Sequence, residues 1–255
     1  MPKLKGGLLM VFIWEFVRKY LMRVGLLMSI ILLIGCATQK AWQYGAEPEV
    51  SSAALINKSV SIPPFSDKRI NENSNYVGLY LIPLMPFGWQ DLNTPEGVQM
   101  HITSGLWLWR PNEDIAKATA EEIAHAHIFK ETFFTHRSSE GELVLQGTIN
   151  STKYDGKMIT YGLSVEGPLL WFVGFPSSYV NNELSITLKL KDEKNNVVLW
   201  EKDYREEDGS ISWIYSLQSD FEYPRLLKRI LLNAVGDLKS NLGTIGNKIS
   251  SVKKE

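Results

Sequence analysis

The 255-residue sequence contains a single cysteine, so no intramolecular disulfide can form, and an oxidising compartment would add nothing to its stability. It has four histidines, and His125 and His127 stand two apart, which points them to different sides of a helix and prevents the paired chelation of a zinc motif. No P-loop, GxGxxG or CxxC occurs. Positive charge is not in excess, with 27 Lys and Arg against 28 Asp and Glu. General nucleic-acid binding, which depends on clustered basic groups against phosphates, is therefore not expected. Repeats of fixed period and low-complexity blocks are also missing. The apolar run Val24 to Ile34 is too short for a membrane helix of about 20 residues, but it suits the central region of an export signal.

What is present begins with Met22 to Cys36, MRVGLLMSIILLIGC. Its end, Leu33-Ile34-Gly35-Cys36, closely resembles the lipobox of bacterial lipoproteins. That resemblance implies diacylation of the Cys36 sulfur, cleavage before it, and acylation of the new amino terminus with fatty acids such as palmitate. Residues 1–35 would then be a signal peptide and Cys36 the first residue of the mature chain. Met1 to Tyr20 carries its own apolar run, Gly6 to Trp14, which is long for the leading part of a signal, so a translation start at Met22 is expected. The opposing reading is a membrane helix from Leu8 to about Ile34, but Glu15, Arg18, Lys19 and Arg23 would each cost roughly 2.5–3.5 kcal/mol at the bilayer centre. Ala37 at the second mature position is not Asp. By analogy with sorting rules of two-membrane cells, this favours the outer membrane, facing the periplasm.

Residues 1–35 hold five basic and one acidic residue, a net of +4, so their removal takes the chain from −1 to about −5 and leaves 220 residues, enough for one sizeable core. Residues 36–53 read as a lipidated tether, 54–242 as one globular domain and 243–255 as a polar tail. The expected fold is α/β, with α+β as its alternative: a mixed or antiparallel sheet with two main helices packed on it. Strands are expected at Leu55–Ile62, Tyr76–Leu84, Val98–Thr103, Leu143–Ile149, Met158–Val165, Leu184–Leu190 and Val197–Tyr204. The first helix starts at Pro111-Asn112, with Asn112 as cap and Glu113 and Asp114 in the first turn. Its buried stripe is Ile115, Ala118, Ile123 and Ala126. A closing helix starts near Pro224. The segment Ser59 to Arg69, SVSIPPFSDKR, resembles the opening strand and turn of periplasmic assembly lipoproteins, such as activators of penicillin-binding proteins and the curli secretion lipoprotein.

Candidate chemistry consists of near misses. Gly162-Leu-Ser164-Val-Glu-Gly167 has one residue too many for a nucleophile elbow. Glu122 and His125 share one helix face at i and i+3, but carboxylate-bridged metal sites use that motif twice, with two further Glu. Glu201 to Asp208 reads as a solvated strand end and turn. Three aromatic segments punctuated by Pro and Gly remain: Tyr80 to Trp89, Ser104 to Arg110 and Gly167 to Pro176. They form either a cover over the core or an exposed patch for a partner protein, a lipid or an apolar ligand, with Trp171 and Phe172 as anchors and Trp89 and Trp109 beside them. The sequence thus points to a lipid-anchored, non-catalytic binding or accessory subunit of an envelope complex, with no cofactor and no metal site. One alternative is a hydrolase or metal-dependent enzyme assembled in three dimensions from His101, His125 and Glu122. Another is a structural lipoprotein without separable activity.

Overall fold

The computed structural model describes residues 42–49, 53–97, 108–137, 140–214 and 222–252. The lipobox with Cys36, the expected strand Val98–Thr103 and His101 lie outside them. Among the described residues the architecture is a mixed nine-stranded sheet with α-helices packed on it, as the α/β reading expects.

The spine is a hairpin of two long strands, β8 (Ser178–Asp192) and β9 (Val197–Ser212), joined by the polar turn Glu193–Asn196. Along β8, Leu184, Ile186, Leu188 and Leu190 are fully buried and alternate with half-buried Ser185, Thr187 and Lys189. This period of two puts one apolar face on the core. The other edge of β8 serves two wings. Its second half pairs antiparallel with β6 (Leu143–Ser151), which pairs in parallel with β1 (Ile56–Ile62) and with β2 (Ser66–Asp67). Strand β5 (Phe129–Phe134) lies parallel to β1 at the edge of that wing. The first half of β8 pairs with β7 (Tyr154–Ile159), then β4 (Phe87–Leu92) and β3 (Asn73–Tyr76), all antiparallel.

Helices α1 (Pro111–His125) and α3 (Tyr223–Ser240) cover the apolar face of the first wing and the spine. Pro224 lies in the first turn of α3, where a missing amide costs nothing, and Leu227, Ile230, Leu231, Ala234 and Leu238 are buried as their spacing requires. A five-residue helix, α2 (Pro168–Phe172), belongs to the β3-β4-β7 wing. That wing has only a small buried cluster of its own, Leu92, Tyr154 and Val180.

Several expectations are corrected. Tyr76–Leu84 is not a strand. It forms a 3₁₀ turn at Val77–Leu81 that folds over β4, where the Val77 carbonyl oxygen lies 1.9 Å from the place a Cβ on Gly88 would occupy. Only glycine permits that approach. Strand β4 instead continues through Gln90 and Asp91 to Leu92. Met158–Val165 is strand only to Ile159, because Tyr161 and Gly162 both adopt positive φ. Glu201–Asp208 lies inside β9, where charged side chains suit a long edge strand and bridge to neighbours, as in Lys189–Glu201 at 3.0 Å. Asn112 does not cap α1. Arg110 holds the cap position, and its amide donates to the Asp114 carboxylate at 2.8 Å. Most of the stretch 243–255, read as polar tail, belongs to α4 (Leu242–Val252), which buries Ile245 and places the Lys248 ammonium on the Val198 and Leu199 carbonyls.

Part of the stretch read as tether is also built into the domain. Trp42 stacks on Trp109 at 5.8 Å, and Trp109 stacks on Tyr223 at 4.5 Å. Trp42 and Tyr44 pack against the main core.

Candidate functional site

Two segments from the aromatic set meet at one end of the β3-β4-β7 wing. The Leu84 amide donates to the Gly162 carbonyl at 2.9 Å, and the Thr160 and Tyr161 amides both donate to the Pro86 carbonyl, at 2.8 and 3.0 Å. The Ser164 hydroxyl donates to the Leu81 carbonyl. Ser164 is therefore committed to stitching two loops, and nothing in its surroundings makes it a nucleophile. Trp171 donates its indole N–H to the Ile159 carbonyl at 2.8 Å, and the Tyr161 hydroxyl donates to the Pro176 carbonyl at 2.6 Å.

The stitched loops turn their apolar side chains outward. Leu84 is 88% exposed, Val173 71%, Leu169 66% and Phe172 63%. Charge is nearly missing here: no charged residue lies between Asn73 and Gln90, and only Glu166 lies between Met158 and Asn182. Scattered exposed leucines are ordinary on a protein surface, but a contiguous, uncharged group of this kind is not. Its backbone is also held in costly shapes. Of the seven described residues with positive φ, five are Leu84, Tyr161, Gly162, Ser164 and Gly174. The three that are not glycine each cost about 1 kcal/mol or more, and such strain persists only where the surroundings enforce it.

Beside this collar, on the same wing, lies a cleft of about 480 Å³ lined by Val77, Tyr154, Met158, Trp171, Val180 and Trp213. Trp171 belongs to both the collar and the cleft wall. A second groove of about 470 Å³ on the open sheet face is polar, with Thr148, Thr187, Lys189, Glu201 and Asp203 on its walls. Its groups answer one another: Ser66 with Thr148 at 3.0 Å, Thr187 with Asp203 at 2.5 Å and Lys189 with Glu201 at 3.0 Å.

The four aromatics singled out from sequence separate. Trp171 and Phe172 sit together on α2 at the apolar end. Trp89, in β4, is half-buried in an aromatic row with Tyr76 at 5.4 Å and Phe87 at 6.1 Å. Trp109 is 3% exposed, stacked within the main core away from the collar, and is not placed to touch a partner. Leu84, Leu169 and Val173, the most exposed members of the collar, were not named from sequence. The legible signal was a charge-free apolar stretch broken by Pro and Gly.

Glu122 and His125 come together on a segment of this same chain. Glu122 is 2% exposed and accepts from the Tyr44 hydroxyl at 2.6 Å, the Glu47 amide at 3.3 Å and the Lys228 ammonium at 3.1 Å. His125 Nδ1 lies 2.7 Å from the Glu47 carbonyl oxygen. Both residues fasten the strap of residues 42–49 to α1 and α3. Among the described residues no three His, Cys, Asp or Glu side chains are grouped to hold a metal.

The strap carries a pH prediction. Burial, followed by the hydrogen bond to the Glu122 carboxylate, pushes the Tyr44 hydroxyl well above its ordinary value, with Glu121 and Glu47 adding to the effect and Lys228 facing it. A group raised in the folded state contributes stability that is intact below its unfolded value, about 10, and is lost as pH rises beyond it. Proteolysis within residues 42–49 should therefore accelerate above about pH 10. Tyr44→Phe should be cut faster at neutral pH and show a flatter alkaline rise. An identical profile for the two proteins would remove Tyr44 as the cause.

No family model matches the chain, and no curated protein matches it. Among solved structures, protein XCC0632 from Xanthomonas campestris aligns over 84% of this chain and 99% of its own, at 12% identity and a TM-score of 0.45. A PelC dodecamer from Paraburkholderia phytofirmans aligns over 71% of this chain and 92% of its own, at 16% identity and a TM-score of 0.29. At these values the neighbours carry no conclusion about what this chain does. No described helix is long and apolar enough to cross a membrane.

Proposed function

We propose that the chain is a lipid-anchored cell-envelope lipoprotein, acylated at Cys36, that acts by binding as an accessory to envelope machinery and catalyses no reaction of its own. Its working surface is the apolar end formed by residues 77–86 and 160–176. The observation that carries this reading is the uncharged, exposed collar of Leu84, Leu169, Phe172 and Val173, held out on strained backbone. A domain with no use for such a surface loses solubility and backbone stability by keeping it. The lipobox supplies the anchor, and the absence of Asp at the second mature position favours the outer membrane.

The anchor is tested by mass spectrometry of the protein extracted from membranes. An acylated Cys36 as first residue is expected, and a chain retaining residues before a free Cys36 thiol would overturn it. The surface is tested with a photocrosslinker placed at Phe172 in cells, with Leu232, an exposed residue on α3, as control. Discrete adducts from position 172 and none from 232 are expected. Equal adducts from both would sink the assignment.

A further inference from the structure

The cleft beneath Trp171 offers a chemistry more specific than a sticky surface. Its walls are Tyr154 and Val180, both nearly fully buried, with Val77, Met158, Trp171 and Trp213. Gly156 on its floor has no side chain to fill it, and a Cβ there would meet the Tyr154 ring at 2.6 Å. Serine side chains, Ser177, Ser178 and Ser212, supply neutral hydroxyls at the β8–β9 edge. A volume of about 480 Å³ with aromatic and aliphatic walls, and with Gln90, Lys157 and the three serines as its polar groups, suits a small, mainly apolar ligand. It is too small for a folded segment of a partner.

We infer that this cleft takes one acyl chain of a bilayer phospholipid. This rests on the reading of the apolar end as the working surface. Two features choose the ligand and its source. The surrounding loops carry only one charged residue, Glu166, and the one charged side chain on the cleft wall, Lys157, is already placed 4.0 Å from the Asp155 carboxylate and over the Phe87 ring, so a soluble anion or a charged peptide finds no unanswered counterpart there. A carrier that collected free fatty acid from water would need only the cleft. Here the cleft opens beside a collar of four side chains more than 60% exposed, which the hydrocarbon boundary of a membrane covers favourably and water does not. A chain taken from water would gain from every methylene it buries, but a chain already in the bilayer gains little on entering a largely apolar cleft. Entry is therefore reversible exchange between two apolar environments, suited to holding a lipid briefly.

The test uses the lipidated full protein in vesicles of phosphatidylethanolamine and phosphatidylglycerol at three to one. A trace of the vesicle phosphatidylethanolamine carries a photoactivatable diazirine in one acyl chain. After illumination, covalent label is expected on Met158, Trp171 and Trp213 inside the cleft and on Leu169 and Phe172 at the collar. Ser178→Phe, which places a ring in the open volume, should lower labelling inside the cleft about tenfold and leave the collar labelled. Ser212→Phe is the second obstruction should the first variant not fold. Label confined to the collar would overturn the acyl-chain site while leaving the working surface intact. No label at either place would overturn both. Cleft label unchanged by both obstructions, or obtained only with a free diazirine fatty acid, would also overturn the proposal.

Discussion

Trp109→Ala should lower the unfolding free energy by about 3–5 kcal/mol and leave binding at the apolar end unchanged in whatever protein remains folded. The indole is 3% exposed and lies between Trp42 of the strap and Tyr223 of α3, with ring centroids at 5.8 and 4.5 Å. Its removal empties the place where the strap and α3 meet, and the surrounding helices cannot collapse into it without shifting. Phe172→Ala provides the contrast. At 63% exposure it loses little transfer energy, and its stability should stay within about 0.5 kcal/mol of the parent. Urea unfolding of the two variants, with an unchanged slope as the check on two-state behaviour, measures both. A Trp109→Ala protein as stable as the parent would mean that the stack contributes no packing energy.

Arg69→Ala should cost about 3 kcal/mol, because it leaves carboxylates packed for a guanidinium with no cation. The Arg69 side chain is almost completely buried and forks across Asp67 at 2.7 Å and Glu96 at 2.6 Å, while Nη1 donates to the buried Thr152 hydroxyl at 2.5 Å. It ties the turn after β2 to the loop after β4 and to the β6–β7 connection, so one side chain joins the two wings. Arg69→Lys should recover only part of the loss, since an ammonium cannot reproduce the planar fork. The hydrogen bond from Arg69 is the largest influence holding the Asp67 carboxyl below its ordinary value, which burial opposes. A carboxyl lowered in this way contributes stability above its unfolded value of 3.8, and that contribution is lost as pH falls through the folded value. The penalty of Arg69→Ala should therefore shrink below about pH 4. A penalty that is constant from pH 7 to about 3 would show that the ion pair with Asp67 is not its source.

Where the pattern was local and one-sided, the elements were legible in the sequence. The alternation Leu184 to Leu190, the start of α3 at Pro224 and its stripe through Leu238 follow from period and capping chemistry alone, because each element buries one face against a single partner. Legibility failed where a contact distant in sequence overrode the pattern. Tyr76–Leu84 reads as a strand by composition, but Gly88 lets the Val77 backbone fold over β4. Glu122 reads as one more helix carboxylate until Tyr44 and Lys228, 78 and 106 residues away, close over it.

The candidate site shows the same division. Three aromatic segments looked equivalent as strings of residues, yet the fold sent Trp109 into the core and stitched the other two into one exposed end beside a cleft. By itself the sequence determined the α/β class, the middle of β8 and the start of β9, helices α1 and α3, and the lipobox that gives the expectation of an acylated Cys36, since each depends on residues close together in the chain. Tertiary structure alone decided which apolar residues face water, that the strap is fastened by Glu122, and that a cleft opens at Trp171. The physical reason is that exposure is a property of what packs against a side chain, and those neighbours come from β4, β7, β8 and α2 at once.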